Sequence, residues 1–264
     1  MYPTFINIGS VAISMGSIFN LLAFLTTAFV YWRKTREEHY HQDQVFDAFL
    51  LASVMGLLVG RLGFVLFNFG ELGKNIWNWF DVINRPGSLE IFSLLGASIY
   101  LYRYAGKKKW DRFEVLDFWF LAISAGMVFR QLGNFFMGVG FGYETQLPWG
   151  MVFPGVFVKH HPTQLYGALV YLGLYIYLYW AEYHYRTFLW YRAGKKTAQT
   201  GFLTSIFLIV TGLSMLLMRF VRPAQLEINQ FGLDYLVYGA MALFGGVMMY
   251  IKSGRLIIFK NNKN

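Results

Sequence analysis

NFFMGVGFGYETQLPWGMVFPGVFVKHHPTQLY, residues Asn134 to Tyr166, is the stretch on which the reading of this chain turns. Five glycines, three prolines, the carboxylate of Glu144 and the His160–His161 pair break it up, and long apolar runs flank it on both sides. At the edge of a membrane domain such a stretch cannot face lipid, because its N–H and C=O groups would go unpaired in hydrocarbon. It must be buried in protein or line a polar cavity, which makes it the first place to look for a site.

The flanking runs set the class. Of 264 residues, 56% are hydrophobic, 20% aromatic and only 14% charged, and the mean hydropathy is +0.40. Soluble domains carry about 25% charged residues, so the composition is that of a membrane protein. With no cysteine, there is no disulfide framework, thiolate metal site or cysteine nucleophile. A net charge of +9 would suggest nucleic acid in a soluble protein. Here the placement of the charges explains it without one.

Val11 to Trp32 is an uncharged run that precedes the first basic residue, Arg33. A secretory signal has its basic residues first, so this run reads as an uncleaved span with its N-terminus outside. Further spans read Val45–Phe69, Ser88–Tyr104, Phe113–Met137, Thr163–Tyr185, Gly201–Val221 and Leu233–Ile251. Each approaches the length that crosses about 30 Å of hydrocarbon. The expectation is an all-α polytopic membrane protein of about seven transmembrane helices, one domain over residues 1–264, with the C-terminus cytoplasmic. Of the 23 lysines and arginines, sixteen then lie in inside loops, four outside (Lys74, Arg85, Lys159 and Arg222) and three within spans. That distribution obeys the positive-inside rule. Trp32, Trp110 and Trp190 fall at inner boundaries and Trp77, Trp79 and Trp149 at outer ones, as an aromatic belt requires.

The arginines within spans are Arg61, Arg130 and Arg219. Each costs roughly 2.5–3.5 kcal/mol on insertion scales unless paired or wetted. One reading is internal ion pairing, with Asp47 and Asp117 among the nearby carboxylates. The other is an anionic ligand inside the bundle, for which the planar guanidinium fork is suited. Arg222, at the outer end of the sixth span, adds a cation at the depth of lipid phosphates, so a lipid headgroup is the natural anion. His160 and His161 precede Pro162, and proline is favoured at the first position of a helix. A histidine there is a general base, a headgroup donor or an interfacial cap. Thr163 and Gln164 should face the bundle interior. No His or carboxylate recurs at metal-ligand spacing, and no cofactor pattern is present.

LPWGMVFP (Leu147–Pro154) followed by HPTQLY (His161–Tyr166) resembles the prolipoprotein diacylglyceryl transferase family, as do GNF (Gly133–Phe135) and GRLG (Gly60–Gly63). The resemblance spans nearly the whole chain. It implies a bacterial plasma-membrane enzyme, without a cofactor, that takes phosphatidylglycerol from the outer leaflet. Such an enzyme moves the diacylglyceryl group onto the lipobox cysteine of an exported prolipoprotein, and glycerol phosphate leaves. Asn134, Arg222, Gln164 and Tyr166 match family motif positions, His161 matches the motif histidine, and Arg61 lies in GRLG. These, with Arg130, are the candidate lipid and phosphate contacts and catalytic groups.

The same resemblance exposes departures. The family's arginine three residues before the motif Asn is Gln131 here, with Arg130 one position off, about 100° around a helix. The glutamate five residues after the Asn is Val139, and Gly167 stands where a glutamate usually follows HPTQLY. GSLEIFSLLGA (Gly87–Ala97) occupies the place of the family's His-bearing glycine segment and contains no His. Two readings follow. In one, a divergent transferase uses Arg130 as the cation, Glu144 or Glu90 as the carboxylate, and His161 or His160 as the base. In the other, a non-catalytic relative keeps the lipid-binding bundle as a membrane scaffold or complex subunit with protein partners. The changed positions favour the second; the retained motifs fit both.

Overall fold

The computed structural model describes residues 4–8, 11–73, 75–81, 84–85, 87–192, 198–224, 226–228 and 231–254. An antiparallel hairpin of β1 (Thr4–Ile8) and β2 (Val11–Ser14) opens the chain. Long helices follow: α1 (Met15–Glu37), α2 (Gln42–Phe67), α3 (Glu90–Lys107), α4 (Arg112–Met137), α5 (Thr163–His184), α6 (Phe202–Met218) and α7 (Asp234–Lys252). A second small hairpin, β3 (Glu227–Ile228) with β4 (Phe231–Gly232), lies between α6 and α7. Two short helical turns, Phe69–Leu72 and Ile76–Phe80, sit in the loop before α3.

The bundle is built around α4, which packs against α1, α3, α5 and α6. Trp119, Phe120, Leu121 and Ala122 on it are all buried. The outer faces carry the opposite pattern: Leu57, Leu62 and Leu66 on α2, Leu169 and Ile176 on α5, and Leu243 and Phe244 on α7 are exposed. An apolar belt on the outside, with polar groups such as Asp117, Gln131, Gln164 and Thr211 buried within, is what hydrocarbon selects. Helices α1, α2, α4 and α7 are long and apolar enough to cross a membrane, and α6 is apolar but shorter. The chain is a polytopic membrane protein.

Helix ends are set by local chemistry. Ser14 accepts from the Ser17 N–H at 3.0 Å and starts α1, so the first span begins at Met15 and not at Val11, whose segment is a strand. Helix α1 then runs on to Glu37, leaving a connection to α2 far shorter than the basic loop expected from Trp32 to Gln44. Lys34 makes that extension tenable: its Nζ donates to Glu37 at 2.8 Å, Glu182 at 2.6 Å and Tyr183 at 2.7 Å, which ties α1 to α5. Asp117 on α4 accepts from the N–H groups of Gly201 (2.7 Å) and Thr204 (2.8 Å) and from the Thr204 hydroxyl (2.6 Å). It therefore caps α6 from a neighbouring helix and, among the described residues, pairs with no arginine. Helix α6 ends at Met218, so Arg219 sits at its C-cap and not inside a span. Pro162 is the N-cap of α5, one place before the first helical position expected for it.

Candidate functional site

Arg130 on α4 donates from Nε to Glu90 Oε2 on α3 at 3.1 Å, and both side chains remain about one-third exposed. Two cavities open beside them: Arg130 lines the larger and Glu90 lines both. The larger, about 460 Å³, lies among α1 to α4 and is lined by apolar groups including Phe24, Phe49, Leu94, Trp119 and Ile123. The smaller, about 50 Å³, lies among α3 to α7 and is lined by Gln131, Asn134, Gln164, Tyr171, Thr211 and Arg222 among others. Glu90, Leu94 and Met127 line both, so the carboxylate of the pair stands where an apolar chamber meets a polar one, with Arg130 on the apolar side.

The polar chamber is closed by the broken stretch. Gly138, at φ 67°, turns the chain out of α4, and the Val139 N–H bonds back to the Asn134 carbonyl at 3.0 Å. A side chain at Gly138 would meet Pro154 Cδ at 2.6 Å, so both backbone angle and space demand glycine there. The first turn of α5 then fastens this exit. Thr163 Oγ1 donates to the Gly140 carbonyl at 2.6 Å and Gln164 Nε2 to the Val139 carbonyl at 2.8 Å. Arg222 enters from the far side; among the described residues its guanidinium meets only the soft Met215 sulfur, at 3.6 Å. Gln131 lies over Gly167, where an added Cβ would be 3.0 Å from Gln131 Cδ. Two of the departures from the family pattern are thus neighbours in space.

The candidate residues divide. Arg130, Asn134, Gln164 and Arg222 line the two cavities. His161, Glu144 and Tyr166 do not. His161 is held through its backbone by Tyr143 and Gly142, and its Nδ1 lies 3.3 Å from the Tyr166 hydroxyl. Tyr166 accepts from Trp149 Nε1 at 2.8 Å and lines an open groove of about 590 Å³ on the outer side of α5. Glu144 is exposed and bridges His160 through its backbone. His160 Nδ1 is 2.7 Å from the Gly142 carbonyl, which can only accept, so that nitrogen carries the proton and the ring serves the loop.

Arg61 is placed differently from expectation. Its Nε donates to the carbonyl of Trp79, Nη1 to those of Arg85 and Gly87, and Nη2 to those of Asn78 and Asp81, at 2.7–3.3 Å. A guanidinium has five N–H donors, and all five are engaged by the loop before α3, leaving none for a phosphate. The same loop is tightened by Asn84, whose backbone and side-chain N–H groups hold the Asp81 carboxyl below its usual range. Arg219 is also held internally: Nη1 donates to Tyr143 at 3.1 Å and to the Arg222 carbonyl at 3.0 Å, and Nε lies at ion-pair distance, 3.6 Å, from Asp234. Residues that sequence reasoning did not place in the site are Thr211, Tyr171 and Tyr238. A lone hydroxyl in an apolar helix is too common a feature to have pointed there.

The class is thereby defined as a multi-pass membrane protein whose ion-paired polar chamber opens beside an apolar one. Sequence comparison narrows it. A profile of the prolipoprotein diacylglyceryl transferase family matches residues 3–251, and the chain belongs to that family. It is similar to proteins named phosphatidylglycerol–prolipoprotein diacylglyceryl transferase from several bacteria. That of Photobacterium profundum is 29% identical, with 94% of this chain and 91% of the relative covered. Those of Polynucleobacter necessarius and Aliivibrio fischeri are each 30% identical, covering 88% and 94% of this chain and 86% and 88% of theirs.

Proposed function

We propose that this chain binds phosphatidylglycerol and transfers its diacylglyceryl group to the cysteine thiol of an exported prolipoprotein in the bacterial plasma membrane. The observation that carries this reading is the Arg130–Glu90 pair at the junction of the apolar cavity and the chamber that holds Arg222. An acyl chain enters the former, and the phosphate lies between Arg130 and Arg222. In the reaction the sulfur attacks the diacylglycerol carbon that bears the phosphate, a C–S bond forms and the C–O bond breaks. Its electron pair leaves on glycerol phosphate, and the thiol proton passes to a base. Cations fixed beside the departing phosphate stabilise the charge that develops there, and no cofactor is needed because the leaving group is already a phosphate. Glu90 takes the carboxylate role in preference to Glu144, because it lines the chamber and Glu144 does not. His161 stays on the outer face with Tyr166, where a peptide arrives.

The orientation belongs to the same proposal. We place all seven helices α1 to α7 across the membrane, with the N-terminus outside and the basic connections inside, so that the broken stretch and Arg222 sit at the outer leaflet. The lysine and arginine distribution supports it.

A second reading, a relative that holds the lipid without turnover, is favoured by Gln131 lying against Gly167. The resemblance puts a cation and a carboxylate at those places, and a neutral amide cannot neutralise charge. Complementation separates the two. In a strain depleted of its own diacylglyceryl transferase, expression of this chain should restore growth and lipoprotein modification. A membrane-inserted protein that co-purifies with phosphatidylglycerol and restores neither would favour the second.

A further inference from the structure

The polar chamber contains two side chains whose hydrogen-bonding atoms are buried without a partner among the described residues, Gln164 Oε1 and Thr211 Oγ1. Both residues are more than nine-tenths buried. The Gln164 amide is oriented by its Nε2 donation to Val139, so the atom left over is a pure acceptor. Thr211 shares its lack of a partner with Ser98 on α3, but of the two only Thr211 lines the chamber. Hydroxyls in mid-helix normally bond the carbonyl one turn back, and Thr27, Thr35, Ser53 and Ser205 all do so here, at 2.8–2.9 Å. Thr211 does not, and the residue lines the chamber. Orphaned polar atoms in a buried site cost about 1–3 kcal/mol each, which selects for a ligand that pairs with both.

The chemistry of that ligand group is restricted. A phosphodiester oxygen only accepts, so it satisfies Thr211 and leaves Gln164 Oε1 unpaired. An ammonium only donates, so it satisfies Gln164 and leaves the Thr211 proton unpaired. A hydroxyl accepts from Thr211 and donates to Gln164. At about 50 Å³ the chamber has room for a few water-sized groups, since one water needs roughly 10–15 Å³ by the same measure. That is the size of a small polyol end and not of a sugar. Resting on the phosphatidylglycerol reading above, we infer that Gln164 and Thr211 read the terminal hydroxyls of the glycerol headgroup and set headgroup specificity, while Arg222 and Arg130 meet the phosphate.

The test compares phosphatidylglycerol with phosphatidylpropanol of identical acyl chains, which has the same charge and no headgroup hydroxyl. Affinities of the full chain for both are measured by native mass spectrometry from detergent. Phosphatidylglycerol should bind at least about tenfold more tightly, the scale of one unsatisfied buried group. Thr211→Val should erase most of that preference by weakening phosphatidylglycerol alone, and Thr211→Ser should keep it. Equal affinities in the unaltered protein, or a preference untouched by Thr211→Val, would overturn the inference while leaving phosphatidylglycerol binding in place. Retention of neither lipid by the unaltered protein would overturn both the inference and the reading beneath it.

Discussion

Four arginines that look alike in the sequence do four different jobs. Arg61 staples the loop before α3, Arg219 ties Tyr143 of the broken stretch to α7, Arg130 pairs with Glu90, and Arg222 lines the chamber. Arg61→Gln should therefore act on stability. Losing charge-assisted bonds to buried carbonyls costs roughly 1.5–3 kcal/mol, read as a lower melting temperature and faster proteolysis between Phe69 and Gly87, with phosphatidylglycerol affinity unchanged in the molecules that remain folded. Arg222→Ala should do the reverse: melting is preserved, and phosphatidylglycerol retention falls about ten- to a hundredfold, the worth of one such contact to phosphate. Arg222 lines the chamber, in keeping with its place just after the sixth expected span in a recognisable segment. The partners of Arg61 were not legible, because they are backbone carbonyls, which no residue-type pattern reveals.

Elements were legible in proportion to how far hydrophobic periodicity alone defines them. Helices α4 and α5 fall within a residue or so of the expected spans, bounded by Asp111 as a cap, Gly138 as a turn and Pro162 as an entrance. Helix α1 does not, since Val11–Ser14 is as apolar as a span and is claimed by pairing with Thr4–Ile8. The start of α6 depends on a contact made across the bundle, Asp117 with Gly201 and Thr204, and sequence gave Asp117 only the option of an ion pair. Asp117→Asn turns an N–H₂ toward three donors or leaves them one acceptor. It should destabilise the protein by about 1–3 kcal/mol, measured by thermal unfolding in detergent. The ratio of phosphatidylglycerol to phosphatidylpropanol affinity should not move, since Asp117 lines neither cavity.

At the scale of the whole molecule, composition and charge placement carried the membrane class, and two short motifs carried the family. What they could not carry was the division of the candidate residues between an inner chamber and an outer loop. That division arises because one helical turn, Thr163 to Gly167, presents Gln164 to the chamber and Leu165 and Tyr166 to the outer groove. The orientation is testable in a chain with no cysteine. Phe157→Cys should react with an impermeant thiol reagent from the periplasmic side, and Asp43→Cys and Lys108→Cys only after the membrane is opened; the opposite pattern would invert the topology. The central claim, that the chamber beside Arg130 and Arg222 supports diacylglyceryl transfer, is tested most directly by the mass of a lipobox peptide incubated with the purified protein in phosphatidylglycerol nanodiscs. The account predicts a thioether-linked diacylglyceryl adduct on the peptide cysteine, dependent on phosphatidylglycerol and slowed about 10²–10³-fold by Arg222→Ala. A peptide that stays unmodified while phosphatidylglycerol remains bound to the protein would contradict it.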